Sequence, residues 1–68
     1  MARVNFGVEP GQVYRLNNNP ERQWSVETIV LGPANIPHAV LRDVAEPSER
    51  RTISCSVLAD RSQYRIIH

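Results

Sequence analysis

The stretch Thr52-Ile53-Ser54-Cys55-Ser56-Val57-Leu58-Ala59-Asp60-Arg61-Ser62-Gln63-Tyr64-Arg65-Ile66-Ile67 decides the architecture. In the segment Arg51 to Cys55, Ile53 and Cys55 fall on one side and Thr52 and Ser54 on the other, the period of two that marks a half-buried strand. Ser56 stands where a helix N-cap belongs, because its hydroxyl can accept from a backbone N–H two or three residues on. Val57 to Asp60 then has room for a single 3-10 turn, with Leu58 aimed at the core. Gln63 to Ile67 alternates again, Tyr64 and Ile66 against Arg65 and Ile67. A strand, one turn and a final strand that pairs with the first is how a small five-stranded β-barrel closes.

Working outward, turn residues recur at short intervals: Gly7, Pro10-Gly11, Asn17 to Pro20, Gly32-Pro33 through Pro37, Pro47-Ser48 and Asp60 to Ser62. The runs between them are rich in β-branched and aromatic residues, which predicts an all-β chain with no helix of useful length. The first strand is expected over Gln12 to Leu16, with Tyr14 and Leu16 inward. The second, Gln23 to Leu31, puts Trp24, Val26, Thr28 and Val30 on one face, yet Ile29 and Leu31 then appear on the other. A bulge near Thr28 resolves the conflict by shifting the facing pattern one residue. The third, Pro37 to Val44, sets Ala39 and Leu41 against His38, Val40, Arg42 and Val44. Residues 1–10 read as an N-terminal arm and 11–68 as one domain.

Five short strands with a one-turn helix before the last resemble an SH3-like barrel of the Tudor-like or KOW-like type, over Gly11 to Ile67. The resemblance is one of topology. The chain has neither the KOW glycine signature nor a proline-peptide-binding motif, so no functional residue is carried over.

A chain of 68 residues buries only about 60% of the surface its unfolded form exposes. It has one cysteine and no zinc-type spacing of His and Cys, so close packing or self-association must stabilise it. With no long apolar run and no signal-like amino terminus, the expected setting is soluble and cytoplasmic. Eight basic against seven acidic residues is not the strong positive field of a dedicated nucleic-acid binder. All eight are arginine and none lysine, a bias that a GC-rich bacterial genome would produce.

The residue types of a thiol protease are present in Cys55, His38, Asp43 and Asp60, but Cys55 falls on an inward face, where a lone cysteine packs as a small apolar group. His38 and His68 have no neighbouring ligand at metal-site spacing. Neither a catalytic residue, a metal site nor a cofactor is expected. Tyr14, Trp24 and Tyr64 are either core or an aromatic cage for a methylated cation. Trp24, which follows the polar segment Asn17 to Gln23, is the one expected to be partly exposed. Arg15, Arg22, Arg42, Arg50, Arg51 and Arg65 make the surface candidate.

These features point to a bacterial binding module that contacts a protein or nucleic acid through the loop between the first two strands and its outward arginines. Trp24, Arg15, Arg22 and Arg42 are the binding residues. Val40, Val44 and Ile67, with Ile29 or Leu31, exceed what so small a core can take, which predicts a homo-oligomer. Two alternatives are an enzyme whose site is shared between subunits and a structural subunit of a phage or mobile-element assembly. The plasmid-borne dihydrofolate reductases illustrate the first, but their Val-Gln-Ile-Tyr strand motif is missing and Gln63-Tyr64 is the nearest approach to it.

Overall fold

The computed structural model describes residues 5–67; His68, considered above, and Arg3, one of the eight arginines, lie outside them. The chain forms strands β1 (Val13–Leu16), β2 (Asn19–Leu31), β3 (Pro37–Asp43), β4 (Arg50–Ser54) and β5 (Tyr64–Ile66), with one helical turn α1 (Cys55–Leu58) before β5. All pairings are antiparallel, in the order β4-β3-β2-β1-β5. The last strand pairs with the first as expected: Tyr14 faces Ile66, Arg15 faces Arg65 and Leu16 faces Tyr64. β4 and β5 are the two edges and do not pair, so hydrogen bonding does not close the sheet into a barrel.

The β1–β2 connection is shorter than the polar run Asn17 to Gln23 implied. Leu16 already faces Asn19, which leaves Asn17 and Asn18 as the whole turn. The register then slips before Arg15 meets Gln23, so Pro20, Glu21 and Arg22 form a bulged stretch of strand and not an open loop. The bulge expected near Thr28 is present: β2 and β3 slip register between Val26 and Thr28. Val26 is buried, Thr28 and Val30 are exposed, and Ile29 packs against the core. One extra residue has exchanged the faces.

The helical turn starts earlier than Ser56. Ser54 is the N-cap and accepts from the Val57 N–H at 3.4 Å. The turn is α-helical; the 3-10 turn lies elsewhere, at Pro33–Asn35 between β2 and β3. There Gly32 passes so close to His38 that a Cβ would meet its ring at 2.7 Å. At the other end Gly11, at φ +93°, turns the chain into β1 through a conformation that side-chain-bearing residues rarely adopt.

The core contains Val8, Tyr14, Trp24, Val26, Ala39, Leu41, Cys55, Leu58 and Tyr64, with Leu16, Ile29 and Ile53 packed against it. Leu58 is fully buried and covers the inner face of the sheet. Val8, from the segment before β1, is fully buried too. Each such aliphatic side chain contributes about 1.5–3 kcal/mol by leaving water. Ile66 departs from expectation. It shares the face of Tyr64 and Tyr14, yet it is 50% exposed, because β5 is an edge with no further strand beyond it among the described residues. Among the described residues no helix is long and apolar enough to cross a membrane.

Candidate functional site

The four expected binding residues divide between the two faces of the sheet. Arg22 and Trp24 are two apart on β2 and share the inner face; Arg15 and Arg42 lie on the outer one. Trp24 is only 2% exposed, which corrects the expectation of a partly exposed ring. Its faces are occupied by arginines, since the Arg22 and Arg51 guanidinium carbons lie 4.8 and 4.9 Å from its ring centre. Both distances suit attraction between a cation and the ring quadrupole. Tyr14 and Tyr64 are also buried in the core.

Asp43 holds Arg22 in place. It sits on the inward side of β3 after Ala39 and Leu41 and is itself buried. Its Oδ2 accepts from Nε and an Nη of Arg22 at 3.0 and 2.8 Å, and its Oδ1 accepts from the Ala45 and Glu46 N–H groups at 2.8 and 3.2 Å. The Arg22 bonds, joined by those from the backbone, hold the carboxyl below its usual range. A buried carboxylate saturated in this way is a structural brace for the β3–β4 turn.

Outer-face arginines on β3 and β4 are also neutralised. Arg42 and Arg50 are cross-strand partners, and both reach Glu27, which the β2 bulge presents to them. Arg42 is 2.6 Å and Arg50 3.1 Å from its carboxylate. The buried Nε of Arg42 has no hydrogen-bond partner, so its pairing runs through a terminal nitrogen. Arg15 and Arg65 face each other on β1 and β5. Among the described residues Arg15, Arg61 and Arg65 join no ion pair.

Two of those unpaired arginines border a groove with a volume of about 460 Å³, lined by Phe6, Tyr14, Leu58, Ala59, Arg61, Tyr64, Arg65 and Ile66. Its floor is core, because Tyr14, Leu58 and Tyr64 are buried; its walls, Phe6 at 56% and Ile66 at 50%, are exposed. No acidic side chain lines it. Each wall is fixed from below. Gln12 accepts from the Tyr14 hydroxyl at 3.0 Å and donates to the Gly7 carbonyl at 3.1 Å, tying the Phe6-Gly7 turn to β1. Asp60 accepts from the Ser62 N–H and hydroxyl at 2.9 and 2.7 Å, and its carbonyl takes the Gln63 and Tyr64 N–H groups. Asn17 closes the same turn by donating to the Arg61 carbonyl at 2.9 Å. Arg61 is thereby held at the rim by backbone bonds, leaving its side chain unengaged.

The thiol is not positioned for chemistry. Cys55 is fully buried, and desolvation pushes its pKa up, away from the thiolate. Burial likewise raises Tyr14, with Cys55 adding to the shift. The His38 Nδ1 lies 2.8 Å from the Ile36 carbonyl, a local contact within its own hairpin. Among the described residues no three His, Cys, Asp or Glu side chains gather into a metal-binding group.

The sequence pattern did not reveal this groove. Alternation singles out Tyr14, Tyr64 and Arg65, but Phe6 and Arg61 lie in segments that read as arm and turn. No family model, no curated protein and no solved structure matches the chain.

Proposed function

We propose that the protein is a small binding module of SH3-like topology that takes a short segment of a partner protein in the Phe6–Ile66 groove, without chemistry of its own. The strand order, with the last strand on the first and one helical turn before it, supports the SH3-like reading. The observation that carries the function is the pairing of exposed apolar walls with arginines that no acid among the described residues neutralises. Such a site favours a peptide with one bulky apolar side chain flanked by carboxylates: the apolar group fills the groove, and Arg61, Arg65 and Arg15 take the charges. A net charge of +1 and aromatic faces that are mostly buried favour a peptide over a nucleic-acid strand, which needs open rings for stacking and a wider basic field.

Selection of a random peptide display library on the wild type and on a Phe6→Ala/Arg61→Glu variant tests this. The wild type is expected to enrich peptides with an apolar residue beside acidic ones, and the variant to lose them. Equal enrichment on both, or tight salt-sensitive binding of a single-stranded oligonucleotide with no peptide enriched, contradicts it.

A second reading, self-association, draws on the β2–β3 hairpin end, where Val30, Leu31 and Ile36 are all exposed. Exposed apolar clusters of this kind mark interfaces. Sedimentation of the wild type and of Leu31→Ser at micromolar concentration tests it: a monomer in both contradicts it.

A further inference from the structure

Beside the groove runs the free edge of β5, and its backbone shows how a partner would be held. The Ile67 N–H donates to the Val13 carbonyl at 2.7 Å and the Asn17 N–H to the Gln63 carbonyl at 2.8 Å. In an antiparallel ladder hydrogen-bonded pairs alternate with non-bonded ones. Val13 with Ile67, Arg15 with Arg65 and Asn17 with Gln63 are therefore the bonded pairs, while Tyr14 with Ile66 and Leu16 with Tyr64 are not. Ile66 consequently points its N–H and C=O away from β1, toward the open edge, as Tyr64 points its C=O. The Tyr64 N–H is already taken by Asp60. Among the described residues none of the bonds formed outside the ladder ends on Ile66.

We propose that the Tyr64–Ile66 edge accepts an extended acidic peptide as an added antiparallel strand, with one apolar side chain of the peptide anchored in the groove. This rests on the groove being the binding site. The geometry then dictates the pattern of the occupant. A peptide residue that exchanges both backbone bonds with Ile66 points its side chain to the same face as Ile66, into the groove. Its two neighbours point to the opposite face, the side of Arg65 and Arg15, where carboxylates meet unneutralised guanidiniums. An acidic, apolar, acidic triplet is the match. The other edge lacks this combination: by the same alternation, fixed there by the Asp43 N–H bond to the Glu49 carbonyl, Arg50, Thr52 and Ser54 of β4 present their backbones outward, but neither Phe6 nor the groove lies beside them, and Arg50 is already paired with Glu27 while Arg51 lies over Trp24.

The test uses the nitrogen-15-labelled full chain and the peptide acetyl-Thr-Glu-Phe-Glu-Thr-amide, with a counterpart N-methylated at Phe so that only the donor to the Ile66 carbonyl is lost. The unmethylated peptide is expected to slow exchange of the Ile66 N–H by about tenfold at ten times its Kd, and to shift the amide signals of Phe6, Leu58 and Arg61. The methylated peptide is expected to bind at least several-fold more weakly. Shifts at Phe6, Leu58 and Arg61 with unchanged Ile66 exchange, or equal binding of both peptides, overturn strand addition and leave the groove as the site. No shift at any groove residue at millimolar peptide overturns both.

Discussion

The β2–β3–β4 part of the sheet and the β1–β5 edge both carry arginines, in opposite electrostatic settings. On the first, Arg22 is braced by buried Asp43, Arg42 and Arg50 share Glu27, and Arg51 lies over Trp24. On the second, Arg15, Arg61 and Arg65 have no acidic partner among the described residues, and the apolar surface beside them is open. Which arginines are structural and which are available is decided by where two acids fall, Asp43 at the inward end of β3 and Glu27 on the β2 bulge. The count of eight against seven does not reveal that.

Mutation should separate the two parts by stability first. Leu41→Ala, in the fully buried centre of β3, is expected to cost about 2–5 kcal/mol in urea unfolding. Ile66→Ala at the half-exposed edge should cost under about 1 kcal/mol. Equal losses would mean that the β1–β5 edge is as much core as the centre.

Next comes acid. Because the folded carboxyl of Asp43 is held below its ordinary value, its contribution to stability is fully present above the unfolded pKa and is lost as the pH falls through the folded one. Wild-type stability should therefore drop below about pH 4. Asp60 is lowered too, mainly by Ser62, and adds to the same slope. Asp43→Asn should be less stable at neutral pH and show a flatter acid limb in urea midpoints taken from pH 5 downward. An unchanged acid limb would remove Asp43 from the account.

A smaller effect distinguishes two neighbouring serines. Ser54→Ala removes the cap of α1 and should cost about 0.5–1 kcal/mol, toward the low end of cap losses because the bond is long. Ser56→Ala, which takes no backbone bond of the helix, should cost less. The reverse order would return the cap to the position that the sequence pattern favoured. Smallest of all, Glu27→Gln should change stability by no more than about 1 kcal/mol, as exposed pairs do. It should nonetheless raise low-salt binding of acidic peptides to the outer face by freeing Arg42 and Arg50.

Alternation carried much of the fold. The break in period at Thr28 located the bulge, and the inward places of Tyr14, Ala39, Leu41, Cys55 and Leu58 followed from spacing alone. Where polar composition and alternation disagree, alternation decides the face. Trp24 shares a face with Val26 and is buried, although the asparagines, Pro20 and Glu21 before it look like a loop. Asp43 was hard to place for a related reason: an inward carboxylate is tolerable only with a partner, and Arg22 stands in the segment that reads as loop. Ile66 shows the converse, since a period of two gives the face but not whether anything lies beyond an edge strand. The groove was least legible because it joins Phe6 to Arg61 across the length of the chain, and only the β1–β5 pairing brings them together.

The contrast between the two parts is tested most directly by the affinity of acetyl-Thr-Glu-Phe-Glu-Thr-amide for two double variants. Phe6→Ala/Arg61→Gln should weaken binding at least roughly tenfold, a loss of about 1.4 kcal/mol, with the melting temperature nearly unchanged. Arg42→Gln/Arg50→Gln should stay within about twofold of the wild type. Equal losses in the two variants, or a larger loss in the second, would contradict the assignment of binding to the β1–β5 groove.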